Sequence, residues 1–121
     1  MDDSDRDRSF RDEQRADRRV RPRIKVKVPI ELFAPGSDVP QRGATSDLSE
    51  TGCYIESIFP FPVGTTLEMS LQVDTTVLAL GTVVTCDPQV GNGIKFTKML
   101  PEDREQLRAY LEAAQRAKDQ P

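Results

Sequence analysis

Residues 24–32 read Ile24, Lys25, Val26, Lys27, Val28, Pro29, Ile30, Glu31, Leu32. Apolar and polar residues alternate strictly through this stretch. Ile24, Val26, Val28, Ile30 and Leu32 therefore share one face, and Lys25, Lys27, Pro29 and Glu31 the other. A period of two marks a strand with one buried and one wet face. Pro29 has no N–H to give to a ladder, so the strand is expected at an edge or beside a bulge.

The same signature recurs outward along the chain. A loop over 34–43, rich in Pro35, Gly36, Asp38, Pro40 and Gly43, leads to a short polar strand ending near Asp47. Residues 52–58 form a further β segment with Cys53 and Ile55 on one face. Phe59 to Gly64 reads as a proline-locked turn, and Phe59, Phe61 and Tyr54 are expected as aromatic plugs. Leu67, Met69, Leu71 and Val73 alternate with polar neighbours, and the Asp74, Thr75 turn leads into a run from Val77 to Cys86 in which Gly81 marks a bulge or tight bend. Asp87 to Gly93 is expected as a hairpin loop, with Gly91, Asn92 and Gly93 as its turn, before a last strand from Ile94 to Thr97. About six short strands with one apolar face each leave exposed edges unless the sheet closes, so a small antiparallel barrel is the expected fold.

After Pro101 the period changes. Leu107, Tyr110, Leu111 and Ala114 fall on one face of a helix. Glu102, Asp103 and Glu105 stand in its first turn and Arg116 and Lys118 in its last, as the helix dipole favours. This helix, over about 101–117, is expected to cover one open end or side of a barrel over about 24–98.

With 121 residues and 36% apolar content the chain supports one domain and one modest core. A domain this small buries roughly 65% of its unfolded surface. Histidine is absent, which removes Ser-His-Asp and Cys-His machinery, His metal ligands and a histidine pH switch together. Cys53 and Cys86 are too few and too far apart for a zinc ribbon or a redox pair, and read as two reduced thiols. The first residues lack an apolar signal region, and no stretch approaches the roughly 18 apolar residues of a spanning helix. A cytoplasmic protein without membrane insertion is expected.

The formal charge of −3 conceals a segregation. Residues 15–27 hold seven bases (Arg15, Arg18, Arg19, Arg21, Arg23, Lys25, Lys27) against the single acid Asp17, whereas residues 28–100 hold three bases against eight acids. A basic arm is joined to an acidic body. Residues 1–14 alternate Asp and Arg around a lone Phe10 and are expected to be disordered. Five of the seven bases in the arm are arginine, the residue suited to forked contacts with phosphate and with the O6/N7 edge of guanine. A solvated tail held loosely by the acidic body is the plainer alternative.

Two local patterns are not required by folding. Arg19, Val20, Arg21, Pro22, Arg23 is an RxxxR directly before the first strand, and Asp47, Leu48, Ser49, Glu50, Thr51, Gly52 is a DxSxxG between two strands. Taken alone, Asp47 and Ser49 also suit a turn in which side chains bind nearby backbone amides. In this order, with Gly93, Ile94, Lys95, Phe96 in the last strand, the motifs resemble the PilZ domain, a bacterial receptor domain for cyclic di-GMP. The resemblance runs from about Arg18 to about Ala114. It implies a six-stranded barrel with one C-terminal helix and a flexible arm, divided as a leader of residues 1–17 and a domain of residues 18–118.

The resemblance also implies a site. Arg19 and Arg23 would meet phosphate and guanine O6/N7, and Asp47 together with the Ser49 hydroxyl would supply acceptors for the guanine N1 and N2 donors, Asp47 on the Watson–Crick edge. Gly52 would allow a sharp turn or a close approach. Arg18, just before the motif, would bear on whether one ligand or an intercalated pair is bound. Arg15 and Arg19 form an overlapping RxxxR, and the Arg19 and Arg23 pair is preferred because Arg23 abuts the strand. The expected function is a cyclic di-GMP effector that signals by ordering its arm and contacting an unidentified downstream protein, in control of motility, pili or exopolysaccharide. Further expectations are no other cofactor, no metal, no DNA or RNA, no catalysis, and a monomer or weak dimer. Two alternatives stand beside it: a PilZ-like adaptor of a motility or type IV pilus system that binds no ligand, and a small nucleic-acid-binding barrel, which the acidic body and scarce aromatics disfavour.

Overall fold

The computed structural model describes residues 23–119. Among these residues six antiparallel strands, β1 (Pro29–Phe33), β2 (Gln41–Leu48), β3 (Gly52–Glu56), β4 (Thr66–Gln72), β5 (Thr76–Asp87) and β6 (Gly91–Lys98), precede one helix, α1 (Pro101–Asp119). They close into a barrel in the order β1, β2, β3, β6, β5, β4, with β4 returning to pair with β1. Closure leaves no edge strand, which is the fold expected from the alternation. The expected disordered leader lies outside the described residues, as do Arg15, Arg18 and Arg19.

Alternation correctly predicts what the barrel encloses. Ile30, Leu32, Leu67, Met69, Leu71, Val77, Ala79, Val83, Ile94 and Phe96 are all buried in one cluster. Gly81 belongs to the same interior row. A Cβ there would stand 2.7 Å from the Ile94 side chain and 2.8 Å from the Met69 sulfur, and the β5–β6 register slips between Leu80 and Gly81. The expected bulge is therefore present, and it carries a packing requirement as well.

The first strand is shorter than the alternation implies. Residues 24–28 keep their inward side chains, with Ile24 and Val28 2% and 1% exposed, but join no regular ladder. Ile24 instead exchanges two 2.9 Å backbone hydrogen bonds with Leu48. The buried Thr45 hydroxyl accepts from Val28 N–H at 3.0 Å and donates to the Val26 carbonyl at 2.6 Å. A side chain thus replaces part of a strand pairing. Pro29 lies at no edge: it opens β1, the other position where a missing N–H is tolerated.

Antiparallel order gives the barrel two ends. At one lie the segment 24–28, the β2–β3 turn and the β4–β5 turn; here α1 packs, with Leu107 and Leu111 buried in the same core cluster as Ile24 and Leu48. The helix thus covers an end of the barrel, as its apolar stripe predicts, and it reaches two residues further than expected. At the other end the loop after β3 folds inward under Asn92. Its side-chain carbonyl accepts from Phe61 N–H at 2.8 Å, and its amide donates to the Phe61 and Thr85 carbonyls at 2.9 and 3.1 Å.

Four local expectations are corrected here. Gly91, Asn92 and Gly93 are strand residues, and the tight turn is formed by Pro88, Gln89 and Val90. Asn92 faces the interior, where its amide holds the neighbouring loop. Phe59 is not a plug: it is 86% exposed, because Phe61 occupies the interior side of the proline-stiffened loop. Tyr54 points to the outer wall, its hydroxyl donating to Asp87 at 2.6 Å. The loop before β2 is also shorter than expected, since pairing with β1 extends β2 back to Gln41.

Candidate functional site

Asp47 owes its outward direction to a bulge. Thr45 and Leu48 are both buried, a spacing that simple alternation forbids, and the β2–β3 register shifts between Thr45 and Asp47. One additional residue reverses the parity of the strand, so Leu48 enters the core and Asp47 meets the surface. Its side chain is 24% exposed. The Ile24–Leu48 bridge then brings the chain just before the first strand to the same spot. Arg23 Nη1 donates to Asp47 Oδ1 at 2.8 Å, and the guanidinium is 56% exposed.

Ser49 and Gly52 serve this surface from beneath. Ser49 is 4% exposed; its oxygen accepts from the N–H groups of Thr51 and Gly52, each at 3.2 Å, and lies 3.3 Å from the Gly52 carbonyl. The hydroxyl thereby ties the β2–β3 turn to itself. Gly52 lies against β6, and a Cβ there would run into the Ile94 carbonyl. Glycine is thus demanded by the approach of two strands.

Burial pushes the neighbouring Cys53 thiol up to about 12; the Asp47 carboxylate adds to the rise and Arg23 opposes it. Cys53 is an inert core side chain. Tyr54 stands opposite Asp47 in register and extends the outer wall. Its phenol is also pushed up to about 12, first by donating to the Asp87 carboxylate, then by desolvation and nearby charges.

Residues that sequence reasoning did not single out complete the surroundings. Glu50, in the middle of DLSETG, has its carboxylate 8% exposed and receives Arg108 Nε from α1 at 3.4 Å. Lys118, near the end of α1, donates to the Lys25 carbonyl at 2.8 Å. Both pairs join positions far apart in the chain, and no local pattern signals them. Glu50 was visible only as an unspecified position of the motif. Among the described residues there is no group of three or more side chains able to hold a metal ion, and no helix long and apolar enough to cross a membrane.

The barrel order, the helix over one end and the motif on the turn beneath it agree with a family model described as the PilZ domain, which matches residues 13–113. The chain belongs to the PilZ domain family. Solved structures share the fold. The inhibitor of motility MotI/DgrA of Bacillus subtilis superposes with a TM-score of 0.69 at 14% identity, covering 81% of this chain and 51% of that one. This chain therefore spans about half the length of that relative. The PilZ domain of YcgR from Escherichia coli, solved with c-di-GMP, gives 0.61 at 14% identity over 83% of this chain and 97% of that one. The PilZ domain of CeSA from a cellulose-synthesising bacterium gives 0.59 at 16% identity over 76% and 97%. No curated protein sequence matches the chain significantly. At such identities the structural likeness speaks to the fold alone.

Proposed function

We propose that this PilZ domain is a receptor for cyclic di-GMP and acts by protein contact, with no catalytic role. The observation that carries the reading is the meeting of Arg23 and Asp47, from the two motifs, on one accessible patch of the outer wall. The ligand offers two phosphates, the O6/N7 edges of two guanines and their N1 and N2 donors. Arg23 matches the first two and Asp47 the third.

The ion pair between them is no obstacle to binding. An exposed pair contributes about 0–1 kcal/mol, so exchanging it for two ligand contacts costs little. Arg23 then turns to phosphate or guanine O6/N7, and Asp47 accepts from the guanine edge that replaces it. Arg19 and Arg18, in the basic arm, complete the cationic set. Ser49 and Gly52 contribute through the turn: the hydroxyl and the strand approach hold Asp47 at the surface. Ordering of the arm over the ligand alters the face offered to a downstream partner, in control of motility, pili or exopolysaccharide.

Calorimetric titration with cyclic di-GMP tests the reading. Hydrogen bonds to charged groups are worth about 1.5–3 kcal/mol, so Arg23→Ala and Arg19→Ala each weaken binding by roughly ten- to a hundredfold. At a ligand concentration of about 100 times Kd, the domain gains roughly 2.7 kcal/mol of stability. The absence of any heat or thermal shift would instead favour the adaptor that binds no ligand.

A further inference from the structure

The end of the barrel away from α1 is apolar and acidic at once. Among the described residues, five of the eight exposed large apolar side chains stand on its loops: Val39, Ile58, Phe59, Val63 and Val90. The loops 34–40, 57–65 and 88–90, with the strand ends Glu56 and Asp87, hold the carboxylates Asp38, Glu56 and Asp87 and no lysine or arginine. Single apolar residues scattered over a surface need no explanation, but a group gathered at one end marks a surface for contact.

Phe59, 86% exposed, is held in place. Its N–H donates to the Ser57 hydroxyl at 3.2 Å, and Ser57 N–H donates to the Val90 carbonyl at 2.9 Å. Phe61, two residues on, is fixed by Asn92 between the stiff backbones of Pro60 and Pro62. Ile58 and Val90 line a shared groove with Glu56 and Gln89. An aromatic presented on a fixed loop beside a groove loses little freedom when covered, as an interface anchor requires.

Charge decides between occupants. Two copies meeting through this end would set Glu56 and Asp87 against their own equivalents, and like charges brought together oppose binding. An anionic bilayer meets the same repulsion. We propose that this end docks a partner protein through apolar side chains rimmed by lysine or arginine, with Phe59 as the anchor. The inference rests on the protein-contact part of the reading above. Its surface lies at the opposite end of the barrel from Arg23 and Asp47, so partner and cyclic di-GMP can be bound together.

The test uses the full chain without cyclic di-GMP, and as probe a fluorescent synthetic helix with leucines on one face and lysines on the other, followed by anisotropy. The unaltered chain should bind it saturably and should not bind the same helix with glutamates in place of lysines. Binding should weaken as salt rises from about 0.1 M to about 1 M, where the screening length falls from about 10 Å to about 3 Å. Phe59→Ser should weaken binding by about 30-fold, the mark of an anchor residue, and Ile58→Ser and Glu56→Lys should weaken it several-fold. Leu78→Ser, which removes an exposed apolar group from a strand, should bind as the unaltered chain does. No saturable binding, equal affinity for both helices, or full affinity in Phe59→Ser overturns the proposal. So does self-association in sedimentation, or binding to phosphatidylcholine vesicles, that Phe59→Ser abolishes, since the surface then belongs to a second copy or to a bilayer. Calorimetry with cyclic di-GMP should give the same affinity for Phe59→Ser as for the unaltered chain, so failure here leaves the receptor reading standing.

Discussion

Arg23 and Asp47, 24 positions apart in the chain, meet at 2.8 Å on the outer wall beside the helix-covered end of the barrel. Both groups are partly in water, and solvent screening leaves such a pair with about 0–1 kcal/mol. Arg23→Ala in the ligand-free protein should therefore leave the melting temperature nearly unchanged. Thermal unfolding followed by circular dichroism checks this. A drop comparable to that of a core truncation would mean that the pair is a structural clamp.

Gly52→Ala should be far more damaging than its size suggests. The added methyl meets the Ile94 carbonyl across the β3–β6 pairing, where backbone must give way. Overpacking of this kind costs about 1–3 kcal/mol. For a domain near 100 residues that is a fall of roughly 4–8 °C in Tm per kcal/mol. Scanning calorimetry of the variant reads it directly, and an unshifted transition would refute the strand-contact explanation for this glycine.

Tyr54 makes the alkaline side of the stability curve informative. Its phenol is raised to about 12, chiefly by the hydrogen bond to Asp87, from an ordinary value of 10.0. A raised value means that the protonated form is favoured in the fold. The contribution is thus complete below pH 10 and is lost as pH rises towards about 12. Asp87→Asn should bring the Tyr54 titration back towards its ordinary value, visible as tyrosinate absorbance appearing at lower pH. An identical titration in both proteins would show that the hydrogen bond is not its cause.

The two thiols should differ in reactivity. Cys53 is buried with its thiol pushed up to about 12, whereas Cys86 is only half-buried. An aromatic disulfide reagent at pH 8 should modify Cys86 in the native protein and reach Cys53 only on unfolding. Two equivalents consumed in one fast phase would contradict the packing around Cys53.

Much of this molecule was legible in its side-chain periods. The alternating runs around Ile30 and Met69 and the 3.6-residue stripe of Leu107 and Leu111 determine inward faces, and closure follows from the number of one-sided strands. Arg23 and Asp47 were legible because a motif marks them. What escaped depends on contacts between distant parts of the chain. The pairing before β1 is interrupted because the Thr45 hydroxyl substitutes for backbone, which alternation cannot reveal. Asn92 reads as a turn residue between two glycines until Phe61 is seen to need its amide. Phe59 and Phe61 are equivalent in sequence, and only the inward fold of their loop separates them. Glu50 and Arg108, 58 positions apart, have no shared local signature at all.

The central claim is that the Arg23 and Asp47 side chains together receive cyclic di-GMP. The most direct measurement is calorimetric titration of the full chain and of Arg23→Ala, Asp47→Ala and the double variant at one salt concentration. Saturable binding by the unaltered chain is predicted, with each single variant weaker by roughly ten- to a hundredfold while its melting temperature stays near that of the parent. Equal affinity in all four proteins would contradict the claim.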